Sequence, residues 1–203
     1  MKKVITIGRE FGSGGREIGR RIAEKLQIAY YDQEIVTEIA KRTKLSEDYV
    51  ERITEDRPYI SYPIHAGMSF HTAYYAYTEF DRSLTVFAEQ HNMIKELAER
   101  SDCVIVGRCA DYVLRDMDNV VKIYLYAPIR DCMRRVIRLY ELNPEDAKSL
   151  IHSMNKTRGD YYQHNTGLNW SEAVHYDICL NTAGLKKEKI IDIIKNYIKT
   201  KID

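Results

Sequence analysis

Residues 4–19, VITIGREFGSGGREIG, constrain this chain more than any other stretch. A β-branched apolar run leads directly into Gly12-Ser13-Gly14-Gly15. Apolar residues at helical spacing follow at Ile18, Ile22, Ala23 and Leu26. A glycine loop between a strand and a helix N-terminus is a device for holding phosphate. Backbone N–H groups converge on it, glycines admit oxygen atoms closely, and the helix dipole favours negative charge. Two other readings of the loop stand beside this one. In a dinucleotide fold the glycines hold a pyrophosphate and an acid about twenty residues later binds the ribose. Asp32 satisfies that spacing from Gly12, although the strict GxGxxG is absent because Glu17 stands three residues after Gly14. A glycine turn that only packs a helix onto a sheet is the third.

The standard phosphate loop is GxxxxGK[ST], whose lysine reaches the phosphates and whose hydroxyl ligates Mg²⁺. With Gly14 as its last glycine, Arg9 takes the first position, Gly15 the lysine position and Arg16 the hydroxyl position. Sliding by one makes Gly15 the last glycine, Arg16 the cation and Glu17 the hydroxyl position. We read Arg16 as the cation, because a guanidinium forks well onto phosphate oxygens. Glu17 brings negative charge where a hydroxyl is expected, which leaves Ser13 as the substitute metal-binding hydroxyl.

The rest of the chain alternates short apolar runs with helical patterns. Val4–Ile7, Ile28–Tyr31, Cys103–Val106, Val120–Tyr126 and Tyr176–Leu180 read as strands. Helices are expected at Arg16–Leu26, around Ile35–Ala40, after the N-cap Ser46, up to Arg100, over 129–141 and 144–157, and at Lys187–Lys199. Residues 56–82 carry Pro58, Pro63 and seven aromatics and read as an insertion, helical after Ser69. The polar segment Lys156–Trp170 reads as a mobile loop. Strands alternating with helices predict an α/β chain with a parallel sheet covered on both faces. At 203 residues the chain is expected to be one domain, 1–203.

Composition excludes several functions. Basic and acidic residues number 31 and 30, which argues against general nucleic-acid binding. Cys103, Cys109, Cys132 and Cys179 form no CxxC pair, so zinc and a disulfide framework are not expected. Lys2-Lys3 runs straight into a strand and no apolar run approaches membrane-spanning length, so we expect a cytoplasmic protein without membrane association.

Further blocks extend the pattern: Tyr31-Asp32, VIVGR (104–108), VKIYLYAP (121–128), Arg134-Arg135, KTRGDYY (156–162) and YDICLNT (176–182). In this order, over essentially the whole length, the chain resembles the cytidylate kinase-like proteins with a GREFGSGGREIG-type opening, of the P-loop nucleoside monophosphate kinase group. The resemblance implies a three-layer P-loop fold with a five-stranded parallel sheet in the order 2-3-1-4-5. It also implies an acceptor-binding helical insert at about 44–100 and a lid at about 156–170. The implied activity is ATP- and Mg²⁺-dependent phosphoryl transfer to a nucleoside monophosphate, CMP or dCMP. Alternatives are a kinase for another small metabolite and a nucleotide-binding module without turnover.

By the same resemblance Gly12, Ser13, Gly14, Gly15, Arg16 and Glu17 would hold ATP. Arg16, Arg108, Arg134 and Arg158 would form the catalytic cation ring. Asp32, Arg108 and Asp160 would face the acceptor. The segment 56–82 departs from the cytidine-reading insert of true cytidylate kinases. The expected assembly is a monomer or homodimer.

Overall fold

The computed structural model describes residues 2–56 and 70–202, with side chains over 2–54 and 82–201. Five parallel strands form one sheet: β1 (Val4–Arg9), β2 (Ala29–Tyr31), β3 (Cys103–Val106), β4 (Val120–Tyr126) and β5 (Ile178–Asn181). Their order is β2-β3-β1-β4-β5, as expected. Val4 pairs with Cys103 on one side of β1 and with Val120 on the other.

Alternation along the strands builds two cores, because successive side chains leave a strand on opposite faces. Val4, Cys103 and Ile105 point to one face, where they meet Ile35 and Ile39 of α2 (Gln33–Thr43) and Ile94 of α4 (Phe70–Arg100). Ile5, Ile7, Val104 and Val106 point to the other. There they meet Ile18 and Ile22 of α1 (Gly15–Leu26) and Ile190, Ile194 and Ile198 of α8 (Lys187–Ile202). Three layers result. Chain order reverses beside β1: the chain leaves β1 through α1 on one face towards β2, and leaves β3 through the helix at Ala110–Val113 on the other face towards β4. Open α/β sheets bind ligands at the carboxyl ends of strands at such a point.

Two shorter helices complete the first face, α3 (Glu47–Glu51) and α5 (Ala110–Val113). A π-helical turn at Arg52–Asp56 continues α3. Tyr59, Tyr62 and both prolines of the expected insertion lie outside the described residues. Residues from Phe70 onward are helical, as expected, although the side chains of its remaining aromatics also lie outside them.

One expectation is corrected. Lys156–Trp170 is not a loop over most of its length, because α7 runs unbroken from Pro144 to Thr166. Asn143 caps its start by accepting from the Asp146 amide at 2.9 Å, and left-handed Gly167 ends it. The helix persists because Ala147, Ile151, Thr157, Arg158, Tyr161 and Tyr162 share a buried face. Gly159 fits within it because Trp170 packs close by; a Cβ there would lie 3.2 Å from the indole nitrogen. Helix α6 (Ile129–Tyr140) packs beside α7 through Cys132, Val136, Ala147 and Ile151, and Phe11 joins that cluster.

Candidate active site

The arc between β1 and α1 is clamped in place. Gly12 and Gly14 have φ of 81° and 88°, and a Cβ on Gly12 would approach the Cys132 Cβ to 2.8 Å. Within the arc, the Ser13 hydroxyl donates to the Glu10 carbonyl at 2.8 Å. From behind, the Thr182 hydroxyl donates to the Ser13 carbonyl at 2.8 Å and Arg135 Nη1 donates to the Gly12 carbonyl at 2.9 Å. The Phe11 amide donates to Asn155 Oδ1 at 2.7 Å. Such clamping fixes the amides of the first turn of α1 at the mouth of a cleft of about 180 Å³.

Cations crowd this cleft: Arg9, Arg16, Arg135, Arg138, Arg158 and Lys187 line it, against the acids Glu10 and Glu17. Arg16 Nε lies 2.8 Å from Asp32 Oδ2, with half of the Arg16 side chain exposed. Tyr30 also donates to Asp32 Oδ2, at 3.3 Å. Asp32 sits at the N-cap position of α2 yet makes no cap bond, and its carboxylate meets Arg16 and Tyr30 instead. The hydrogen bond from Lys187 holds the Glu17 carboxyl below its usual range. The guanidinium of Arg158 stands 5.5 Å over the Phe11 ring, and Phe11 stacks on Tyr140.

Beside this cleft, the turn after β3 is held in an uncommon conformation. Gly107, Arg108 and Cys109 all have positive φ, at 73°, 58° and 54°. Non-glycine residues adopt this region at a cost, and such strain concentrates at functional sites. Buried Gln90 braces the turn: its Nε2 donates to the Arg108 carbonyl at 2.8 Å, and Tyr161 donates to its Oε1 at 3.2 Å. Arg108 itself donates to Thr54 and is 3% exposed. Arg108, Arg9 and Arg158 line a small cavity of about 30 Å³, with Asp111, Trp170 and Tyr176.

Asp111 in this cavity accepts from Tyr162 at 2.6 Å. Burial raises its pKa above the usual carboxylate value, outweighing that hydrogen bond. The folded chain therefore binds the proton more tightly than the unfolded chain. This linkage makes stability fall as pH rises from the ordinary carboxylate range through the raised value. Asp111→Asn keeps an acceptor for Tyr162 and removes the proton. Thermal melts from about pH 4 upward are expected to show that Asp111-dependent decline in wild type and its loss in the variant.

The structure thus gathers Gly12, Gly14, Gly15, Arg16, Glu17 and Arg158 at one cleft, with Asp32 joined through Arg16 and Arg108 beside it. Three expected site residues stand elsewhere. Arg134 turns to solvent with 71% of its side chain exposed, paired with Asp131 at 3.4 Å, and the adjacent Arg135 makes the loop contact instead. Asp160 lies on the outer face of α7, paired with Lys156. The Ser13 hydroxyl is fully buried and committed to the Glu10 carbonyl, so it does not face the cleft as a metal ligand. Arg9, Gln90, Asp111, Arg135 and Thr182 line or brace this candidate site, and sequence reasoning did not single them out. For Arg135 the signal was present. Cys132 and Val136 mark the buried face of α6, and position 135 flanks it while 134 does not.

Among solved structures, the chain is similar to an uncharacterized protein from Eubacterium ventriosum (TM-score 0.73, 24% identity, 98% of this chain and 99% of that one). It also shares its fold with a shikimate kinase from Acinetobacter baumannii solved with shikimate (TM-score 0.55, 15% identity, 98% and 94%). That likeness extends over nearly the whole of both chains and is one of fold. Among curated proteins, a cytidylate kinase from Methanopyrus kandleri is 26% identical over 96% of this chain and 92% of the relative. The profile of the cytidylate kinase-like family matches residues 4–184. With that match, and with the glycine loop, the strand order and the basic cleft in agreement, the chain belongs to the cytidylate kinase-like family.

Proposed function

We propose that this chain transfers the γ-phosphoryl group of ATP to a nucleoside monophosphate, with CMP and dCMP first among acceptors. One observation carries the reading. A glycine loop and a ring of buried or half-buried arginines converge where the sheet order reverses. Phosphoryl transfer asks a protein mainly for positioning and for positive charge around the migrating group. The loop amides and Arg16 hold the ATP phosphates, Arg108 holds the acceptor phosphate, and Arg158 reaches both. The segment 156–170 covers the reacting groups as the C-terminal part of α7 with Trp170, and the segment 44–100 forms the acceptor side. The cytidylate kinase name of the curated relative supports the choice of acceptor. The proposed location is the cytoplasm, where the four free thiols stay reduced.

Mg²⁺ fits this site through Asp32 rather than Ser13. Asp32 Oδ1 is buried, accepts no hydrogen bond among the described residues, and has Arg9 only at 4.0 Å. Mg²⁺ takes one or two carboxylates and completes its shell with phosphate oxygens and water. Bound there, it would neutralise charge on the ATP oxygens.

A second reading, a smaller acceptor, draws on the size of the cavity beside Arg108, about 30 Å³. Release of ADP, followed with Mg²⁺ and ATP against CMP, dCMP, UMP, AMP, GMP and shikimate, separates the two. Turnover dependent on CMP or dCMP is the expected result. A response to shikimate alone supports the smaller acceptor, and a flat response to all six contradicts both.

A further inference from the structure

Standard phosphate loops place a glycine first and a lysine directly after the last glycine. This chain exchanges the two residue types, with Arg9 first and Gly15 where the lysine belongs. The backbone supports that register, because β1 ends at Arg9, Gly14 is the left-handed N-cap, and α1 begins at Gly15.

The exchange is also steric. A Cβ at position 15 would lie 2.6 Å from Cβ and 2.9 Å from Cγ of Arg9. The Arg9 side chain therefore fills the space through which a lysine side chain would leave position 15. Its far end depends on a second glycine, since a Cβ on Gly107 would fall on the Arg9 guanidinium. Held between these glycines, Arg9 is 5% exposed. It lines both the cleft over the loop and the cavity beside Arg108.

We propose that Arg9 is the cation that replaces the loop lysine, reaching the transferred phosphoryl group from beneath the loop. The inference rests on the kinase reading above. A guanidinium presents two donors to two phosphate oxygens at once. At so buried a position its charge acts more strongly than on the surface. Its position between the two cavities matches a group that passes from one to the other. Arg16 is the outer, solvent-facing cation, and Gly15 is glycine because Arg9 runs beneath it.

The test compares wild type with Arg9→Ala, Gly15→Lys and the double variant Arg9→Gly/Gly15→Lys, reading MgATP affinity by calorimetry, melting temperature and turnover with CMP. Arg9→Ala is expected to weaken MgATP binding about 10- to 100-fold and to slow turnover about 100-fold or more. Gly15→Lys alone should melt well below wild type, because its side chain meets Arg9. The double variant should regain that stability and bind MgATP within about tenfold of wild type, because the cation returns from the standard position. A purely structural Arg9 would not give that recovery of affinity. Unchanged binding and turnover in Arg9→Ala, or a folded double variant binding MgATP no better than Arg9→Ala, overturns the assignment while leaving the kinase reading standing. Failure of the double variant to fold any better than Gly15→Lys overturns the exchange. A wild-type chain that binds no MgATP overturns the kinase reading and this inference with it.

Discussion

Arg158→Ala is expected to slow phosphoryl transfer about 10²- to 10³-fold, the loss that follows removal of one preorganised charge donor at a reacting centre. Arg158 projects from the buried face of α7, where it is 9% exposed. Its Nη1 donates to the Arg9 carbonyl at 3.3 Å, and it lines both the cleft and the adjoining cavity. One hydrogen bond contributes about 1 kcal/mol, and the contact over Phe11 about 0.5–1 kcal/mol. For a chain of this length the loss of these two contacts lowers Tm by several degrees. Arg158→Lys should recover little of the rate, because an ammonium cannot reproduce the fork. Steady-state kinetics alongside thermal melts separate the two effects. A variant with wild-type kcat/KM would remove Arg158 from the machinery.

Asp32→Ala is the second large effect. The carboxylate is 6% exposed, lies 2.8 Å from Arg16 Nε and 4.0 Å from Arg9 Nη2, and accepts from Tyr30. Without it, two guanidinium groups lose their common anion. Removing one partner of a fully buried pair costs about 3–5 kcal/mol. Here the loss should fall below that range, because half of the Arg16 side chain faces solvent. Turnover should drop about 100-fold, with a rise in the Mg²⁺ concentration needed for half-maximal rate. Asp32→Asn should keep most of the stability, through its hydrogen bonds, and lose the same rate. Mg²⁺ titrations of both variants supply the check, and an unshifted Mg²⁺ dependence would exclude Asp32 from the metal's shell.

Much of the fold was legible in the sequence because its buried strands are short apolar runs between helical patterns. Val4–Ile7, Cys103–Val106 and Val120–Tyr126 are nearly continuous hydrophobic segments, as strands covered on both faces must be. The end of α7 was not legible for the converse reason. Its buried face there is Thr157, Arg158, Tyr161 and Tyr162, residue types that hydropathy assigns to a surface. Their burial comes from partners distant in sequence, such as Gln90 for Tyr161 and Asp111 for Tyr162.

The site divides in the same way. The glycine loop and Arg108 announce themselves by following strands, and the ends of strands are where ligands bind. The place of Arg9 could not be read along the chain. One of the two registers puts Gly15 in the lysine position, but that Arg9 runs beneath Gly15 and against Gly107 is a fact of packing. Ser13 shows the opposite failure. A hydroxyl in a phosphate loop suggests a metal ligand, yet the tight turn claims it for the Glu10 carbonyl.

The most direct measurement of the central claim follows the γ-phosphoryl group itself. Wild-type protein, Mg²⁺ and CMP are incubated with ATP labelled at the γ-phosphorus, and the labelled products are separated. Label recovered in CDP, in amounts equal to the ADP formed, is the predicted result. Label recovered only as inorganic phosphate, or left wholly in ATP, would contradict phosphoryl transfer to a nucleoside monophosphate at this site.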